Sequence, residues 1–484
     1  MIRGAPSAIE RPMEGGEQPD ILKHYRAGQQ ARLDGQLDTA AEHLFQAFEL
    51  NPRNIKILFE IGLLQQQRGE WEHARHCFEQ ALQVQPENTQ VLNALAHAHQ
   101  SLNQRPTAIE LWTRAVSLQP DYADAWQNLA LAQEHENDLD EAIRCHQQVT
   151  TLQPDSPKAH RLLGMAQLDR GDRDAARQSF TQALNLDPTD PENIWQRFFL
   201  RALEGDFPDA WEDYECRFNL PGRTTPDPGF VSPRWTGEPQ PDQTLLLHAE
   251  QGFGDTLQMI RYIPRVAERV GRIAIWIPKA LERLVQSIPE LDAVYTHKPD
   301  EQAFDLHLPM MSLPGVFQET LTTVPNDIGY LFAPPIPYEV PPRKIGLVWS
   351  GSGNQPLDRR SLPISALTPL LAMQEVEWHS LQLDAAELPA RVRDRSAELT
   401  DFAATAAVMQ ELDLIITVDT SAAHLAGALG RPVWVLLNFA PDWRWGWAGD
   451  ATPWYPSALL FRQNYGETWE SVTGRIAGTL RSIS

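Results

Sequence analysis

The chain has 484 residues, which is too long for one hydrophobic core and predicts roughly two to four domains. Its 41 basic and 64 acidic residues give a formal net charge of −23, so we expect no nucleic-acid partner and no broad contact with an anionic membrane, because like charges repel. Three cysteines, together with the lack of an apolar run that spans a bilayer, predict a cytoplasmic chain without integral membrane association.

After a predicted disordered tail at residues 1–20, small residues and prolines recur every 34 residues. The proline column consists of Pro52, Pro86, Pro120, Pro154 and Pro188. This is the period of the tetratricopeptide repeat (TPR), a pair of antiparallel helices that stacks on its neighbours. We therefore predict an all-α TPR solenoid over residues 21–221, with five repeats that begin near Ile21, Ile55, Thr89, Ala123 and Pro157, and a degenerate sixth repeat that acts as a cap.

A stretch rich in Pro, Gly, Thr and Asp follows the repeats and predicts a linker over residues 222–242. Beyond it, short apolar runs alternate with helical stretches, a pattern typical of parallel strands buried on both faces. A proline-rich break near residues 334–342 divides this region. We predict an α/β domain of two facing, doubly wound lobes, a short one over residues 243–337 and a second over residues 343–484.

The first candidate site motif is the segment GFGDTLQ, in which a strand runs into a helix through a turn. Gly252 and Gly254 are expected where the backbone turns tightly. Asp255 would lie at the carboxyl end of a strand, where open α/β sheets bind ligands, and is a candidate general base. An equally weighted alternative is that Asp255 only caps the helix.

The second motif is VDTSAAHLAGALGRPVW, where a buried strand ends in Asp419, Thr420 and Ser421 and a helix of small residues follows. The free amides at such a helix start, together with the two hydroxyls, favour an anion such as a diphosphate. His424 lies one helical turn beyond Thr420 and on the same face, so it is a candidate for the same ligand. The alternative is a packed histidine in a tightly packed helix.

Two further segments supply candidates. Arg359 and Arg360 end a loop rich in Gly and Ser and are candidates for binding phosphate, with solvated surface arginines as the alternative. Gln382 completes the predicted donor-binding set. A tryptophan-rich loop holds Trp443 and Trp445, whose rings could stack on a sugar or base, or equally form a local hydrophobic plug.

Several motifs are missing from the sequence. It has no Cys/His cluster with zinc spacing, no GxxxxGK[ST] phosphate loop and no GxSxG nucleophile elbow. The pairs Asp138 with Asp140 and Asp172 with Asp174 fall at turns inside the repeats. We therefore expect no metal site and no cofactor.

The motifs GFGDTLQ and VDTSAAHLAGALGRPVW resemble those of glycosyltransferase family 9, the ADP-heptose:lipopolysaccharide heptosyltransferases, and the chain as a whole resembles bacterial TPR-containing glycosyltransferases. The resemblance implies a GT-B fold and a catalytic base at Asp255. It also implies that Asp419, Thr420, Ser421 and His424 line a nucleotide-sugar site, with Arg359 or Arg360 near a phosphate-binding position.

By this resemblance the chain is expected to be an inverting, metal-independent glycosyltransferase that takes a nucleotide-sugar as donor substrate. The concave face of the TPR repeats would recruit a protein acceptor. A lipid-linked or lipopolysaccharide acceptor is the competing interpretation within the enzyme class. The alternative from another class is a non-catalytic TPR adaptor with a degenerate glycosyltransferase domain.

Overall fold

The structure is a computed structural model that describes residues 19–222, 228–331, 343–351, 358–383 and 387–483. Nearly all of the predicted N-terminal tail, part of the predicted linker and most of the glycine-rich loop before Arg359 lie outside the described residues. Pro19 and Asp20, predicted as the end of the tail, begin the first helix. The chain forms two compact units that divide between Ala166 and Gln167.

The TPR prediction is confirmed, because in the described residues the first part of the chain folds into six helix pairs. The pairs are α1 Pro19–Leu33 and α2 Leu37–Leu50, α3 Ile55–Gln67 and α4 Trp71–Val84, α5 Thr89–Ser101 and α6 Arg105–Leu118, α7 Ala123–His135 and α8 Leu139–Leu152, α9 Pro157–Arg170 and α10 Arg173–Leu186, and α11 Pro191–Glu204 and α12 Phe207–Tyr214. The 34-residue spacing is kept from pair to pair. The repeat prolines each follow the end of a second helix by two residues.

The turn inside each repeat requires a left-handed backbone at one position. Glycine or asparagine fills that position throughout, because other L-residues adopt this conformation only at a cost. The residues, all with φ between 60° and 93°, are Gly35, Gly69, Asn103, Asn137, Gly171 and Gly205. The second helix of each pair carries an alanine at an equivalent, fully buried position, and this small side chain allows the paired helices to approach closely. These alanines are Ala40, Ala74, Ala108, Ala142, Ala176 and Ala210.

In the first unit a buried carboxylate is held by neighbouring polar groups. Glu60 on α3 is only 4% exposed. It accepts hydrogen bonds from Gln29 Nε2 at 2.6 Å and from Arg32 Nε at 2.8 Å, both on α1. The charge of Glu60 is therefore balanced inside the helical core.

The first parallel sheet has the strand order β3-β2-β1-β4. Its elements are β1 Gln240–His248, α13 Phe253–Met259, α14 Ile263–Ala267, β2 Val270–Trp276, α15 Glu282–Val285, β3 Ala293–Tyr295, β4 Leu306–Pro309 and α16 Leu313–Val316. β1 begins inside the stretch predicted as a linker, and the last part of that stretch also packs on the sheet. Trp235 is buried, and Arg234 forms a parallel bridge with His307 of β4.

The second parallel sheet has the order β10-β9-β8-β5-β6-β7. Its elements are β5 Lys344–Val348, α17 Thr368–Leu371, β6 Glu377–Ser380, β7 Val392–Asp394, α18 Phe402–Gln410, β8 Leu414–Val418, α19 Ser421–Ala428, β9 Val433–Leu437, β10 Ala458–Arg462 and α20 Trp469–Ser482. The chain order reverses between β5 and β8. Both sheets thus follow the order of doubly wound nucleotide-binding folds, in which ligands bind outside the carboxyl ends of strands at the reversal.

The final helix α20 completes the second half of the α/β domain. Val472, Ile476 and Leu480 join the core under the second sheet. The Thr473 hydroxyl donates to the carbonyl of Ala366 at 2.6 Å, just before α17. The C-terminal helix therefore closes the second half of the domain and does not cross back to the first half.

The last repeat belongs to the same unit as the α/β domain. Phe198 of α11 and Trp211 of α12 pack against Trp443, with ring centroids 5.6 and 5.5 Å apart. Phe207 lies 5.9 Å from Trp454, and Trp211 Nε1 donates to the carbonyl of Glu319 at 3.0 Å. Helices α11 and α12 are therefore a layer of the α/β core rather than a separate cap.

Candidate functional site

The residues predicted to bind an anion lie at the strand reversal of the second sheet. Asp419 follows β8, and Thr420 is the N-cap of α19, where its hydroxyl accepts from the amide of Ala422 at 3.3 Å. Ser421 begins α19 and is partly exposed. The strand, the cap and the helix start therefore place these three residues together at the crevice.

Arg360 reaches the same place from the loop after β5. Its Nη1 donates to the carbonyl of Asp419 at 3.3 Å, and its Nε donates to Asp358 Oδ1 at 3.2 Å. Arg359 forms an ion pair with Asp169 and lies over the ring of Phe439. Neither arginine is a solvated surface residue, and both already have carboxylate partners.

These residues border a cavity of about 290 Å³. Its charged lining among the described residues consists of Asp169, Arg359, Arg360, Asp419 and Asp442. Carboxylates outnumber guanidinium groups in this lining, so an anion that enters the cavity has to take an arginine from an aspartate. The amides at the start of α19 add donors at one end.

Gln382 acts on the backbone of the site. Its Oε1 accepts from the amide of Ser350, and its Nε2 donates to the carbonyl of Ser350, each at 3.2 Å. Ser350 lies two residues beyond the end of β5. Gln382 therefore holds the start of the loop that carries the arginines, and its amide is already engaged in the structure.

Asp255 occupies the third position of α13, beyond the end of β1. Its Oδ2 accepts from the amide of Gly252 at 2.8 Å in a capping arrangement, and its Oδ1 accepts from Arg444. Gly252 has an extended backbone with φ of −67°, so the expectation that a tight turn requires glycine there is wrong. Asp255 therefore caps α13, as one of the two interpretations of the sequence predicts. It also forms an ion pair with Arg444 that no sequence motif indicated.

Arg444 is a candidate site residue that no sequence motif indicated. It lies in the tryptophan-rich loop after β9, is 9% exposed, and contacts both halves of the α/β domain. Besides Asp255, its guanidinium donates to Asp442 Oδ1 at 2.8 Å and to Gln258 Oε1 at 2.7 Å. The one signal in the sequence is a lone arginine between tryptophans at a strand end.

His424 lies in the contact between α19 and α13. Its Nδ1 is 2.8 Å from the hydroxyl of Tyr455, and its ring stacks on Trp445. A Cβ at Gly254 would lie 2.6 Å from His424 Cδ2, so Gly254 is needed for the space that the histidine takes. The packed position weighed for His424 is therefore the one observed.

The tryptophan-rich loop forms a hydrophobic plug. Trp443 and Trp445 are 3% and 2% exposed, and Trp454 and Tyr455 are equally buried. Trp443 packs under the last repeat and Trp445 against His424. The expectation that Trp443 and Trp445 offer open rings to a sugar or base is therefore wrong, because both rings are covered by protein.

Burial shifts the ionisation of three site residues. Burial raises the pKa of Asp255, while Arg444 acts in the opposite direction. Burial, and then the nearby charge of Asp442, raises the pKa of Asp419 to about 6. Burial holds the pKa of His424 well below its ordinary value, with Arg444 adding to the effect, so His424 is neutral at pH 7.

An arginine that follows the last repeat lies at the strand reversal of the first sheet. Arg217 follows α12 and donates to Glu250, just beyond β1, at 2.6 and 3.1 Å. It also donates to Ser312 Oγ, beyond β4, at 2.7 Å. Beside it a cavity of about 800 Å³ opens between Trp195, Trp276 and Gly252, so a second opening reaches the motif that carries Asp255.

Comparison with known families agrees with this geometry. Residues 55–88, 93–145 and 157–190 match the tetratricopeptide repeat, and residues 386–476 match glycosyltransferase family 9 (heptosyltransferase). The chain carries TPR repeats and a family 9 glycosyltransferase domain. The family 9 match contains Asp419, His424 and Arg444, whereas Asp255 and Arg360 lie outside it.

One curated protein similar to this chain is Protein FlbA of Caulobacter vibrioides. The two are 26% identical over 343 residues, which cover 61% of this chain and 56% of FlbA. The chain thus spans about half the length of the curated relative that it matches.

Solved structures similar to part of the chain include two bacterial proteins. Pseudomonas aeruginosa pilF is 16% identical, with a TM-score of 0.38 over 42% of this chain and 93% of its own. MamA from Desulfovibrio magneticus RS-1 is 19% identical, with a TM-score of 0.34 over 36% of this chain and 99% of its own.

Two searches of the described residues concern metals and membranes. None of their helices combines the length and the apolar character that crossing a bilayer requires. Within the same residues, no group of three or more His, Cys, Asp or Glu side chains is arranged to hold a metal ion.

Proposed function

We propose that the chain is an inverting glycosyltransferase that moves a sugar from a nucleotide-sugar donor to an acceptor recruited by the TPR repeats. The observation that carries the proposal is an ion pair between the two halves of the α/β domain. Asp255, beyond the end of β1 in the first sheet, pairs with Arg444, which follows β9 of the second sheet and also pairs with Asp442. A carboxylate, buried cations and a helix start come together at the crevice where doubly wound folds bind ligands. The family 9 match supports the same reaction class.

The donor diphosphate belongs at the carboxyl ends of β5 and β8. There the first amides of α19, the hydroxyl of Ser421 and the guanidinium of Arg360 offer hydrogen-bond donors within one crevice. Such donors stabilise the negative charge that develops on a leaving diphosphate. We propose that these groups suffice without a divalent ion.

Asp255 is the proposed general base. It would take the proton of an acceptor hydroxyl as that oxygen attacks the anomeric carbon. Burial raises its pKa from the ordinary range, which brings the carboxylate closer to the basicity that proton transfer near pH 7 requires. General-base assistance contributes about 10² to 10⁴ in rate. The cavity of about 800 Å³ is lined by Gly252, whose amide donates to Asp255, and is the proposed approach of an acceptor to this residue.

The acceptor is proposed to be a protein, because stacked helical repeats present an extended concave surface suited to a polypeptide. Cys77, Cys145 and Cys216 are free thiols, which fits a reaction in a reducing compartment such as the cytoplasm.

A second candidate function is a non-catalytic adaptor. The observation in its favour is that the side chains of the site are already engaged: Asp255 with Gly252 and Arg444, and Arg359 with Asp169. An adaptor would keep these pairs permanently and bind no nucleotide.

Thermal unfolding of the full chain with ADP-, UDP-, GDP-, CMP- and dTDP-sugars tests donor binding. A ligand present at a hundred times its Kd stabilises the native state by about 2.7 kcal/mol, so the true donor should raise the Tm selectively. Arg360→Gln should abolish the rise. Arg391→Gln is the matched control, because Arg391 likewise donates to a backbone carbonyl, that of Leu371 at 2.9 Å.

Release of the nucleotide from the donor tests turnover. Asp255→Asn should still bind the donor but lose nearly all release, and chelation of divalent ions with EDTA should leave the wild-type rate unchanged. Full activity of Asp255→Asn would exclude the base assignment. The absence of a shift with every donor would favour the adaptor.

A further inference from the structure

Arg444 links the two halves of the proposed site, and its contacts include a hydrogen bond to the carboxylate of Asp255. Its guanidinium lies between Asp255 of α13, Asp442 of its own loop and Gln258 of α13. These hydrogen-bond partners are carboxylate or amide oxygens, and Arg444 is 9% exposed. In this arrangement each oxygen of the Asp255 carboxylate already accepts a hydrogen bond, one from Arg444 and one from the amide of Gly252.

The positive charge of the buried Arg444 is paired with the negative charges of Asp255 and Asp442. Charge-assisted hydrogen bonds of this kind are strong, so in a shielded site Arg444 would exchange Asp255 only for a partner of at least equal negative charge. A diphosphate is such a partner, because it carries more charge than Asp255 and presents oxygens to a planar guanidinium. Asp442 remains bonded to Arg444 through Nη1 and would keep the arginine in place during the exchange.

We propose that Arg444 is the leaving-group residue of the reaction, and that it passes from Asp255 to the donor diphosphate when the donor binds. This inference rests on the proposed function. One movement would place a cation against the diphosphate and free the base, so Asp255 becomes able to accept a proton only when a donor is present. Without donor, Arg444 holds the site inactive.

Exchange of Arg444 between Asp255 and the donor would couple the charge of Asp255 to the affinity for a diphosphate. If Asp255 competes with the diphosphate for Arg444, then removal of the charge of Asp255 strengthens the binding of a diphosphate. Asn at position 255 still offers a side-chain oxygen to the amide of Gly252, so the start of α13 is kept. A purely structural Asp255 would not give tighter binding when changed.

Asp401 provides a matched control. Like Asp255, it caps a helix, accepting from the amide of Ala404 at 2.8 Å, and it pairs with an arginine from the other half of the domain, Arg283, at 2.8 Å. Asp401→Asn changes the net charge of the protein by the same amount. It leaves Arg444 and its partners in place.

The test is a calorimetric titration of the full chain with inorganic pyrophosphate and with ADP, UDP, GDP and dTDP. Asp255→Asn should bind pyrophosphate and the best of these nucleotides at least about tenfold more tightly than wild type, as expected when a charged competitor is removed from a buried pair. Arg444→Gln should bind at least about tenfold more weakly, and Asp401→Asn should match wild type.

The outcomes separate the inference from the proposed function. If Asp255→Asn binds no more tightly than wild type while Arg360→Gln still weakens binding, the exchange is excluded and the donor site stands. If no variant and no wild-type protein binds any probe, both are excluded. Arg444→Lys, which keeps the buried charge, replaces Arg444→Gln if circular dichroism shows that the glutamine variant is unfolded. Wild-type affinity in Arg444→Lys would exclude the role of the planar guanidinium.

Discussion

The first repeats and the last one have the same secondary structure but bury their aromatic residues against different partners. In α6, Trp112 is fully buried among repeat helices and donates to Asn93 Oδ1 at 2.8 Å. In α11 and α12, Phe198 and Trp211 instead cover Trp443 of the family 9 domain. Identical helix spacing thus serves a repeat array in one place and completes an α/β core in the other.

The largest expected effect comes from removal of the last two repeats, α9 to α12. A chain of residues 157–484, which keeps α9 to α12, should unfold in one cooperative transition. A chain of residues 220–484 should lose cooperative unfolding, because Trp443 and Trp454 would be exposed together with the face of the first sheet. Far-ultraviolet circular dichroism during heating measures both. Equal melting of the two chains would mean that the last two repeats add nothing to the core.

Single tryptophan substitutions separate the two regions. Trp112→Ala and Trp443→Ala should each cost about 3 to 5 kcal/mol, as expected for loss of a large buried aromatic ring. Each loss should fall on a different transition, since the two residues lie in separate compact units. Differential scanning calorimetry of the full chain follows both transitions, and a shift of the same transition by both variants would contradict the separation.

A glycine pair tests the comparison at equivalent positions. Gly69 and Gly205 occupy the same place in their repeats, with φ of 75° and 81°. At Gly69 a Cβ meets nothing within 4 Å, whereas at Gly205 it would lie 2.5 Å from Leu321 Cδ1. Gly69→Ala should therefore cost about 1 to 2 kcal/mol from backbone strain alone.

Gly205→Ala should cost a further 1 to 3 kcal/mol or so, because it adds overpacking to the same strain. Urea unfolding measures both variants. Equal losses would show that Leu321 moves aside without cost.

The smallest expected effects come from substitutions of two carboxylates, Glu60 and Asp419, and these effects have opposite signs. Glu60 is stabilised by Arg32 and Gln29, so Glu60→Gln should lower stability at pH 7 by about 1 to 3 kcal/mol. Asp419 has the charge of Asp442 nearby and a raised pKa of about 6. Asp419→Asn should therefore raise stability at pH 7.

The pH dependence of Asp419 follows from the direction of its shift. Between about pH 4 and 6 the folded protein holds a proton that the unfolded chain has released, so the contribution of this group to stability falls as pH rises. Urea unfolding of wild type and Asp419→Asn at pH 4.5 and 7 measures it. A variant with the same pH slope as wild type would contradict the shift.

Local patterns predicted most of the fold. The 34-residue period marked every repeat because one helix pair is repeated, and the longer buried strands were visible as apolar runs. Strands β7 and β10 were missed. β7 has three residues, of which two are exposed, and β10 follows a loop of tryptophans whose own apolar residues hide its start. Neither shows the periodicity that separates a strand from its surroundings.

The site was predictable only where it follows a strand end. Asp255, Asp419 and Arg360 follow strands, so their approximate places came from the chain order. Arg444 was missed because its partner Asp255 lies 189 residues away, and no local pattern encodes such a pair. The sequence of the loop around Trp443 is compatible with rings that stack on a sugar and with rings that pack against helices α11 and α12. The sequence alone therefore could not distinguish a ligand-stacking surface from a hydrophobic plug.

Arg217 has a consequence for the number of ligands that the protein takes. Two sheets of the same strand order offer two crevices, but at the reversal of the first sheet the guanidinium of Arg217 is held by Glu250 and Ser312, beside the cavity of about 800 Å³. The segment after the last repeat thus supplies a cation there that is already paired with a carboxylate. We therefore expect a nucleotide titration to end at one equivalent per chain, with the duplicated architecture made asymmetric by a single side chain.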